Sequence, residues 1–517
     1  MPAGHPPAAA DLDAPPQARM PDARTDDFRL YDTMTRQVET FAPAGDVVRL
    51  YTCGPTVYNA AHLGNFRTFL FEDLLRRALR LRGWRVEQAM NLTDVDDKII
   101  KRADERGLTI RELTDPVIEI FHADREFLRI EPAEHYPRAT DYIPQMIALV
   151  ERLMARDVAY RAEDGSVYFA IARFPGYGRL SRLDTREIRA GARVAQDDYT
   201  KENAQDFALW KAAKPEDERV GAAWDSPWGR GRPGWHLECS AMAMDILGET
   251  LDLHCGGVDL VFPHHEDEIA QSEGATGKTF SRHWCHGEFL LVDSAKMAKR
   301  VGNVFTVADL RTEGVSAAAL RHFVFSTHYR KQLNFTPDGL DASREAVRRV
   351  GEFAGRLRDA AGGTPALAEA AAVVERQVRL ALFDDLNAPE ALAALFGFVA
   401  AGNAELDRRG RDADALAAAR RAFDVVNGVV DIEPDALRVA PDGAAAHVVG
   451  AVARRGAGGV PPSAAEAVAW ALDRRASRAA ARNRRDFAAA DALRGELEGA
   501  GWLVKDTPHG TALERYE

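Results

Sequence analysis

The apolar pattern of the first hundred residues predicts a parallel α/β sheet. An apolar run at 47–52 predicts a strand, which leads into the turn residues Cys53-Gly54-Pro55. Apolar residues then recur at helical spacing over 62–82, and 85–90 predicts a second strand. A strand, a helix and a strand in this order form a βαβ unit, so the two strands are expected to be parallel.

The pattern divides the whole chain into regions of different character. In chain order they are a disordered tail at 1–27, a parallel-sheet domain at 28–309 with an insertion at about 130–225, a helical region at 310–430, a linker at 431–462 and a small mixed α/β unit at 463–517. Within the sheet domain, 160–225 is more irregular, and strand-like segments return at 251–254 and 288–292. The expected fold class is therefore α/β, with a helix bundle and a small C-terminal unit added to the sheet domain.

Composition narrows the possible functions. The chain has 517 residues, a net charge of −12, 46% hydrophobic and 28% charged residues, which excludes disorder throughout and fibrous proteins. Four cysteines are too few for a disulfide scaffold and favour a reducing cytosol. No apolar stretch is long enough to span a membrane, and 1–27 lacks the features of a secretory signal.

Two segments have the composition of phosphate-binding sites. Residues 53–65, with His62 and two glycines, lie between a strand and a helix, where α/β folds bind ligands. Residues 296–300 place three cations beside a glycine, which suits a loop that contacts phosphate. The alternatives are a capped helix with a surface histidine and a solvated run of charges.

A metal site is a further candidate. His264 and Glu268 would share one face of a helix, and the thiols of Cys53 and Cys239 would complete a donor set suited to zinc. No short Cys-x-x-Cys motif supports this interpretation, so it depends on the fold bringing distant residues together. The remaining cysteines, 255 and 285, are expected to be buried thiols.

The arginines of 470–485 suggest contact with nucleic acid. Arg474, Arg478, Arg482 and Arg485 would lie on one face of the terminal helix. This face of the helix could bind successive phosphates of a nucleic acid, or it could be a charged face exposed to solvent.

Long motifs that contain these residues follow one another along the chain. They are Cys53-Gly54-Pro55-Thr56-Val57-Tyr58, His62-Leu63-Gly64, Asn91-Leu92-Thr93-Asp94-Val95-Asp96-Asp97-Lys98-Ile99-Ile100, Gly231-Arg232-Pro233-Gly234-Trp235-His236-Leu237-Glu238-Cys239, Gly256-Gly257 with Asp259-Leu260 and Phe262-Pro263-His264-His265-Glu266, and Asp486-Phe487-Ala488-Ala489-Ala490-Asp491 with Asp506 to Thr511. This set resembles the cysteinyl-tRNA synthetase family over about 30–517, most weakly at 430–460.

The resemblance implies a class I aminoacyl-tRNA synthetase with a Rossmann-type catalytic domain. Cysteine and ATP would give cysteinyl-adenylate and pyrophosphate, and the cysteinyl group would pass to the terminal ribose of tRNA(Cys). It further implies one Zn²⁺ per chain that binds the substrate thiolate, Mg²⁺ with ATP, no membrane partner, a monomer and a cytoplasmic location.

The resemblance also assigns roles to residues. The implied zinc ligands are Cys53, Cys239, His264 and Glu268, and the cysteine pocket is lined by Thr93 and Trp235. The implied catalytic residues are His62, Asn65, Lys296 and Lys299, and the ATP site comprises His62, Gly64, Gly256, Gly257, Asp259 and Lys299. Residues 310–430 would contact the tRNA stem, and the anticodon would be read by Arg482, Phe487, Asp491 and Asp506.

The sequence departs from the family pattern at three places. These departures are expected to affect the rate of the reaction more than which reaction the protein catalyses. Asn65 replaces the second histidine of His-Ile-Gly-His, and Ala298 and Arg300 remove two hydroxyls from the Lys-Met-Ser-Lys-Ser loop. Cys255 stands where the family usually has glycine. Each lost hydrogen bond is expected to cost about 1 kcal/mol.

Two rival functions fit parts of the sequence. A related ligase joins cysteine to an aminosugar with the same catalytic domain, but it lacks the complete terminal unit that continues here to Thr511. A degenerate paralogue that binds tRNA or senses cysteine would be consistent with Asn65 and Ala298, whereas the retained lysines and metal candidates count against it.

Overall fold

The computed structural model describes most of the chain. The described residues are 27–182, 206–292, 295–296, 304–439, 447–449, 464–507 and 510–516, with the backbone alone at 295–296, 437–438 and 447–449. Residues 1–26 of the predicted tail lie outside this description.

The predicted βαβ unit is present. The first elements are the antiparallel hairpin of β1 (Arg29–Asp32) and β2 (Gln37–Thr40), then β3 (Val47–Thr52), α1 (Leu63–Arg82) and β4 (Arg85–Met90). β3 and β4 are parallel along their whole length. Gly83 ends α1 in the left-handed conformation at φ 102°, which a glycine adopts without strain.

A long excursion separates β4 from the next strand of the main sheet. It contains α2 (Asp97–Arg106), α3 (Ile110–Phe127), α4 (Ile143–Ala155), β5 (Ala159–Arg161), β6 (Val167–Phe169), β7 (Phe207–Ala212), α5 (Pro215–Arg219), β8 (Gly231–Pro233) and α6 (Trp235–Leu247). Strands β5 to β8 form an antiparallel sheet of their own, in chain order. The irregular segment predicted at 160–225 therefore contains most of a second sheet.

The main sheet is completed after this excursion. Its last elements are β9 (Leu253–Gly257), a π turn (Val261–His265), α7 (Glu266–Thr276) and β10 (Trp284–Gly287). The four strands are parallel in the order β10-β9-β3-β4. The chain leaves β3 toward β4 and leaves β9 toward β10, so the connections diverge between β3 and β9. Ligands of open parallel sheets bind at such a switch point, beyond the carboxyl ends of the strands.

A three-stranded sheet and a helix bundle follow. Their elements are β11 (Leu290–Val292), β12 (Ala295–Lys296), α8 (Val307–Thr312), α9 (Ala317–Phe325), β13 (Leu333–Phe335), α10 (Pro337–Asp359), α11 (Pro365–Phe383), α12 (Ala388–Asp407) and α13 (Ala413–Val430). The strand expected at 288–292 belongs to this small sheet, between β12 and β13, and not to the main sheet. The neighbour of β9 is β10, which the sequence pattern did not predict.

The C-terminal unit is larger than predicted. It contains β14 (Ala436–Val439), β15 (His447–Val449), α14 (Ala465–Asn483), α15 (Phe487–Gly499), β16 (Leu503–Thr507) and β17 (Gly510–Tyr516). The sheet order is β15-β14-β17-β16, so two strands from the expected 431–462 linker pair within the terminal unit. Gly351 of α10 packs on this unit: a Cβ there would lie 2.6 Å from Cε1 of Tyr516 and 2.7 Å from Cγ of Pro434.

Two hydrophobic clusters cover the faces of the main sheet. The α1 side continues into the helix bundle and includes Phe66, Leu320 and Phe423. A fully buried ion pair, 2.8 Å between Nη2 of Arg321 and Oδ2 of Asp73, joins α9 to α1 within this cluster. None of the helices in the described ranges is both long enough and apolar enough to cross a membrane.

Candidate active site and metal centre

The structure brings the four predicted zinc ligands together at the switch point. Cys53 follows β3, Cys239 lies on α6, His264 lies in the π turn, and Glu268 lies in the first turn of α7. All four are buried, and their donor atoms lie within 4.8 Å of one another. His264 precedes the regular part of α7, yet its Nε2 atom is still 3.1 Å from Oε1 of Glu268.

The charges of this cluster suit a bound cation. Burial favours a neutral Glu268, but the His254 and His264 imidazoles lower the pKa of its carboxyl to about 2. A hydrogen bond from Cys53 lowers the pKa of Cys239 to about 6, whereas burial and Cys239 raise the pKa of Cys53. Two sulfur donors, one imidazole and one carboxylate in a closed space form a donor set that fits Zn²⁺.

Three histidines that sequence reasoning did not assign lie against this cluster. Nδ1 of His236 is 2.9 Å from Nδ1 of His264, and the other two, His254 and His265, contact Glu268 and Cys53. Nε2 of His254 is 2.9 Å from Oε2 of Glu268, and Nε2 of His265 is 3.2 Å from Sγ of Cys53. Together with Cys53 and Glu268 they form a second donor set that meets the same distance limit. The available signals were a histidine at the end of a predicted strand and a second histidine beside His264.

The second set is connected to a chain of imidazoles. Nδ1 of His265 lies 2.7 Å from Nε2 of His286, whose Nδ1 lies 2.7 Å from Oγ1 of Thr33. Such contacts fix ring orientation around a metal site. Hydrogen-bonded histidines therefore lie next to the candidate zinc ligands, on the side of the cluster that faces β9 and β10.

Thr93 and Trp235 lie beside the cluster on two different segments. Thr93 is buried, and backbone hydrogen bonds of 3.1 Å and 3.0 Å join it to Pro55 and Val57. Trp235, at the start of α6, stacks on His264 with the ring centroids 4.4 Å apart and remains 38% exposed. Its ring thus separates the cluster from solvent on one side.

Close backbone contacts hold these two segments in place. A Cβ atom at Gly54 would lie 1.9 Å from the carbonyl oxygen of Asn91, and one at Gly234 would lie 1.9 Å from the carbonyl oxygen of Ala208. Any side chain at either position would force the backbones apart. The glycines of the Cys-Gly-Pro and Pro-Gly-Trp motifs therefore serve packing beside the site.

His62 and Asn65 cap the N-terminus of α1. Nδ1 of His62 accepts a hydrogen bond from the Asn65 backbone N–H at 3.2 Å, and Oδ1 of Asn65 accepts one from the His62 backbone N–H at 3.1 Å. Because Nδ1 is an acceptor, the neutral ring carries its proton on Nε2 and can donate from that atom. Asn65 in place of histidine therefore has a structural role as a capping residue.

Glycines lie around the space above α1 and β9. A Cβ at Gly64 would lie 3.0 Å from the His62 ring, and one at Gly256 would lie 2.9 Å from the His265 ring. At Gly257 it would meet Oδ1 of Asp259 at 2.6 Å. A side chain at any of these three positions would therefore press on a neighbouring side chain.

The two lysines of the predicted phosphate loop are only partly described. Lys296 lies in β12, opposite Leu291 of β11, and its side chain is outside the description. Lys299 lies outside the described residues. After the loop the chain returns to α1, where the Leu63 N–H donates to the Phe305 carbonyl at 2.8 Å.

The predicted anticodon residues lie in the C-terminal unit. Phe487 begins α15 and is 62% exposed, and Asp491 is exposed one turn later. Arg482 contacts Asp506 at 2.8 Å, and Arg478 binds both oxygens of that carboxylate at 2.7 and 2.8 Å. The hydrogen bond from Arg478 holds the pKa of Asp506 below its ordinary value.

The arginine face of α14 is largely neutralised by carboxylates. Arg478 is buried against Asp506, and Arg474 contacts Glu496 at 2.8 Å. The structure therefore does not support a continuous phosphate track along this helix. The same unit exposes the aromatic ring of Phe487, a kind of side chain on which single bases stack.

Comparison with known proteins agrees with this geometry. The model of the class I (C) tRNA synthetase catalytic domain matches residues 41–345, and the DALR domain model matches 377–430. The chain is 42% identical over 500 residues to the cysteine–tRNA ligase of Protochlamydia amoebophila, covering 94% of this chain and 98% of that relative. It is 45% identical over 496 residues to the cysteine–tRNA ligase of Solibacter usitatus, covering 94% and 99%.

A solved structure shares the fold. Methionyl-tRNA synthetase of Mycobacterium tuberculosis in complex with methionyl-adenylate has a TM-score of 0.54 at 16% identity, covering 75% of this chain and 90% of that chain. The family resemblance of the sequence motifs is thus confirmed by full-length relatives, and the α/β fold class by the family models and this structure. The chain belongs to the cysteinyl-tRNA synthetase family of class I aminoacyl-tRNA synthetases.

Proposed function

We propose that this chain activates L-cysteine with ATP and transfers the cysteinyl group to the 3′ end of tRNA(Cys). The observation that carries the proposal is the buried cluster of Cys53, Cys239, His264 and Glu268 at the switch point, next to the N-terminus of α1. A thiol substrate and a nucleotide could occupy adjacent parts of one crevice there. The named relatives and the DALR domain match at 377–430 support tRNA as the acceptor in preference to an aminosugar.

The residues of the crevice suit activation without a protein nucleophile. The cysteine carboxylate would attack the α-phosphate of ATP, and the protein would position the reactants and stabilise the developing charge. The proton on Nε2 of His62 and the positive end of the α1 dipole favour phosphate oxygens, and Lys296 and Lys299 would add positive charge. Asn65 would orient His62 through the capping bonds.

The nucleotide would lie across the glycines of the crevice. Gly64, Gly256 and Gly257 would allow its close approach, and exposed Asp259 could accept hydrogen bonds from the adenosine. Mg²⁺ would accompany ATP as a counter-ion of the phosphates.

The sulfur-rich cluster would select the amino acid. Zn²⁺ held by Cys53, Cys239, His264 and Glu268 would supply a bond to the substrate thiolate. Thr93 and Trp235 would enclose the rest of the amino acid. Serine has a hydroxyl that stays protonated and binds a soft metal poorly, so this arrangement distinguishes the two side chains.

The C-terminal half would bind tRNA. Residues 310–430 would contact the stem, and Arg482, Phe487, Asp491 and Asp506 would contact the anticodon. A reaction with tRNA is expected in the cytoplasm, and we expect the protein to act as a monomer.

The test is aminoacylation of a tRNA(Cys) transcript, with cysteine-dependent ATP–pyrophosphate exchange measured in parallel. We expect both activities, and we expect both to fall when a chelator removes the metal and to return with added Zn²⁺. Exchange without aminoacylation, together with transfer of cysteine to an aminosugar, would favour the rival ligase. Intact zinc with no exchange would favour a tRNA-binding or cysteine-sensing paralogue.

A further inference from the structure

A buried arginine links two carboxylates near the amino-acid pocket. Arg232 lies on β8, three residues before Trp235, and its side chain is 5% exposed. Its Nε atom lies 3.2 Å from Oδ1 of Asp217, and its Nη2 atom contacts Oδ1 of Asp97. A guanidinium can hold two carboxylates in a fixed geometry because its donors are rigidly arranged.

Asp97 belongs to the opposite side of the pocket. It is the first residue of α2, four residues after Thr93, and it also accepts a hydrogen bond from Nζ of Lys211 at 3.0 Å. Lys211 lies on β7, so two neighbouring strands of the antiparallel sheet direct cations at one carboxylate. With Asp217, the network contains two cations and two anions.

The chain before each pocket residue is tied to a different part of the fold, although α6 itself also packs on β3 and β4. Backbone bonds hold Thr93 to the segment after β3, whereas the Gly234 N–H donates to the Leu209 carbonyl of β7 at 2.9 Å. The turn before Trp235 is therefore tied to the antiparallel sheet, and Thr93 is tied to the main sheet. The charged network of Arg232 spans the boundary between these two bodies.

We propose that Arg232 is a positioning residue that fixes Trp235 relative to Thr93 and thereby sets the affinity for the amino-acid substrate. The inference rests on the proposed function, since it concerns the same pocket. Arg232 does not itself line the metal cluster, so its loss should change cysteine binding more than ATP or metal binding.

Arg232→Lys is the primary variant because lysine keeps the charge but lacks the planar fork that reaches both carboxylates. We expect the KM for cysteine in ATP–pyrophosphate exchange to rise about tenfold, while the KM for ATP stays within about twofold. Zinc content should be unchanged. Arg230→Lys is the matched control, because Arg230 is exposed and pairs with Glu218 and Asp225, which are close to it in sequence.

Asp97→Asn provides an independent test, since this carboxylate lies at the surface end of the network and its amide should be tolerated by the fold. It should raise the KM for cysteine in the same way. The double variant with Arg232→Lys should be impaired by less than the sum of the two single effects, because both changes break the Arg232–Asp97 interaction.

Three outcomes would overturn the inference. They are a normal KM for cysteine in Asp97→Asn, an equal rise in the KM values for cysteine and ATP, and an Arg232→Lys variant that behaves like Arg230→Lys. Absence of cysteine-dependent exchange in the unchanged protein is a different result, because it would overturn the proposed function itself.

Discussion

Nε2 of His264 lies 3.1 Å from Oε1 of Glu268, and the other oxygen of this carboxylate lies 2.9 Å from Nε2 of His254. Both oxygens of a fully buried carboxylate are thus engaged by imidazoles. The contacts keep Glu268 ionised where burial alone would neutralise it. A permanent negative charge at the base of the crevice is what a divalent cation requires.

Replacing Glu268 by glutamine tests this charge. Glu268→Gln keeps the size of the side chain but removes the charge, so zinc affinity should fall at least about tenfold. Zinc per chain after dialysis against a competing chelator measures the effect. Glu273→Gln on the same helix is the control, because Glu273 pairs with Arg179 away from the cluster. Equal zinc retention by both variants would remove Glu268 from the ligand set.

Cys239→Ser distinguishes the two overlapping donor sets. If Cys239 is a ligand, serine weakens the metal centre, and the KM for cysteine should rise at least about tenfold while that for ATP changes less than about twofold. Steady-state ATP–pyrophosphate exchange and zinc content measure this difference. Cys285→Ser is a matched control, because Cys285 is equally buried but lies in the other hydrophobic cluster. A normal KM and normal zinc content in Cys239→Ser would instead favour the set with His254 and His265.

Much of the fold could be predicted from the sequence, because those elements depend on residues that are close together in the chain. The helical period and the glycine after Arg82 predicted α1, and β3 and β4 have the predicted bounds. β10 was missed because all four of its residues are buried and show no alternation. β14 was missed because its pairing with β17 joins segments that are far apart in sequence.

The candidate site was predictable as a set of residue types but not as a geometry. Cys53 and Cys239 are brought together by the packing of β3 and α6, which no spacing rule reveals. The π turn also places His264 outside the regular helix that its spacing to Glu268 suggested. His254 entered the site because β9 pairs with β3, a neighbour relation that is not visible in a single sequence.

Phe487→Ala should separate tRNA recognition from amino-acid activation. Stacking of a base on an aromatic ring is worth about 1–3 kcal/mol, so the KM for tRNA should rise about fivefold to a hundredfold. ATP–pyrophosphate exchange should be unchanged, because Phe487 lies in the C-terminal unit. Phe487→Trp should retain most of the affinity, since indole also stacks. An equal loss of exchange activity in Phe487→Ala would contradict this division of roles.

Gly351→Ala should disturb the docking of the C-terminal unit. The new methyl group would overlap Tyr516 and Pro434, so we expect a lower unfolding temperature and a higher KM for tRNA. Gly397→Ala on α12 is the control, because a Cβ there meets no atom within 4 Å and alanine favours a helix by about 1 kcal/mol. Adding Tyr516→Ala should relieve part of the defect of Gly351→Ala. A Gly351→Ala protein as stable as Gly397→Ala would show that this contact adapts without cost.

Asp73→Asn should change how stability depends on acid. Burial tends to raise the pKa of Asp73, but Arg77 and Arg321 lower it below its ordinary value. The folded protein therefore holds this proton more weakly than the unfolded chain does, and the stabilisation is complete above an unfolded pKa of about 3.9. This stabilisation is lost as the pH falls from about 3.9 through the lower pKa that Asp73 has in the folded protein. Removing the charge leaves Arg321 buried beside Arg77, and we expect a loss of about 3–5 kcal/mol at pH 7.

The urea midpoint of unfolding at several pH values measures this effect. The difference between Asp73→Asn and the unchanged protein should be largest at neutral pH and should shrink as the pH falls below about 4, because the unchanged protein then loses the same interaction. Asp384→Asn is the control, since Asp384 forms a surface pair with Arg29 and should alter the midpoint little at any pH. A constant difference for Asp73→Asn from pH 7 to the acid transition would mean that its carboxylate does not contribute through ionisation, and that Arg321 is held by its backbone carbonyl contacts instead.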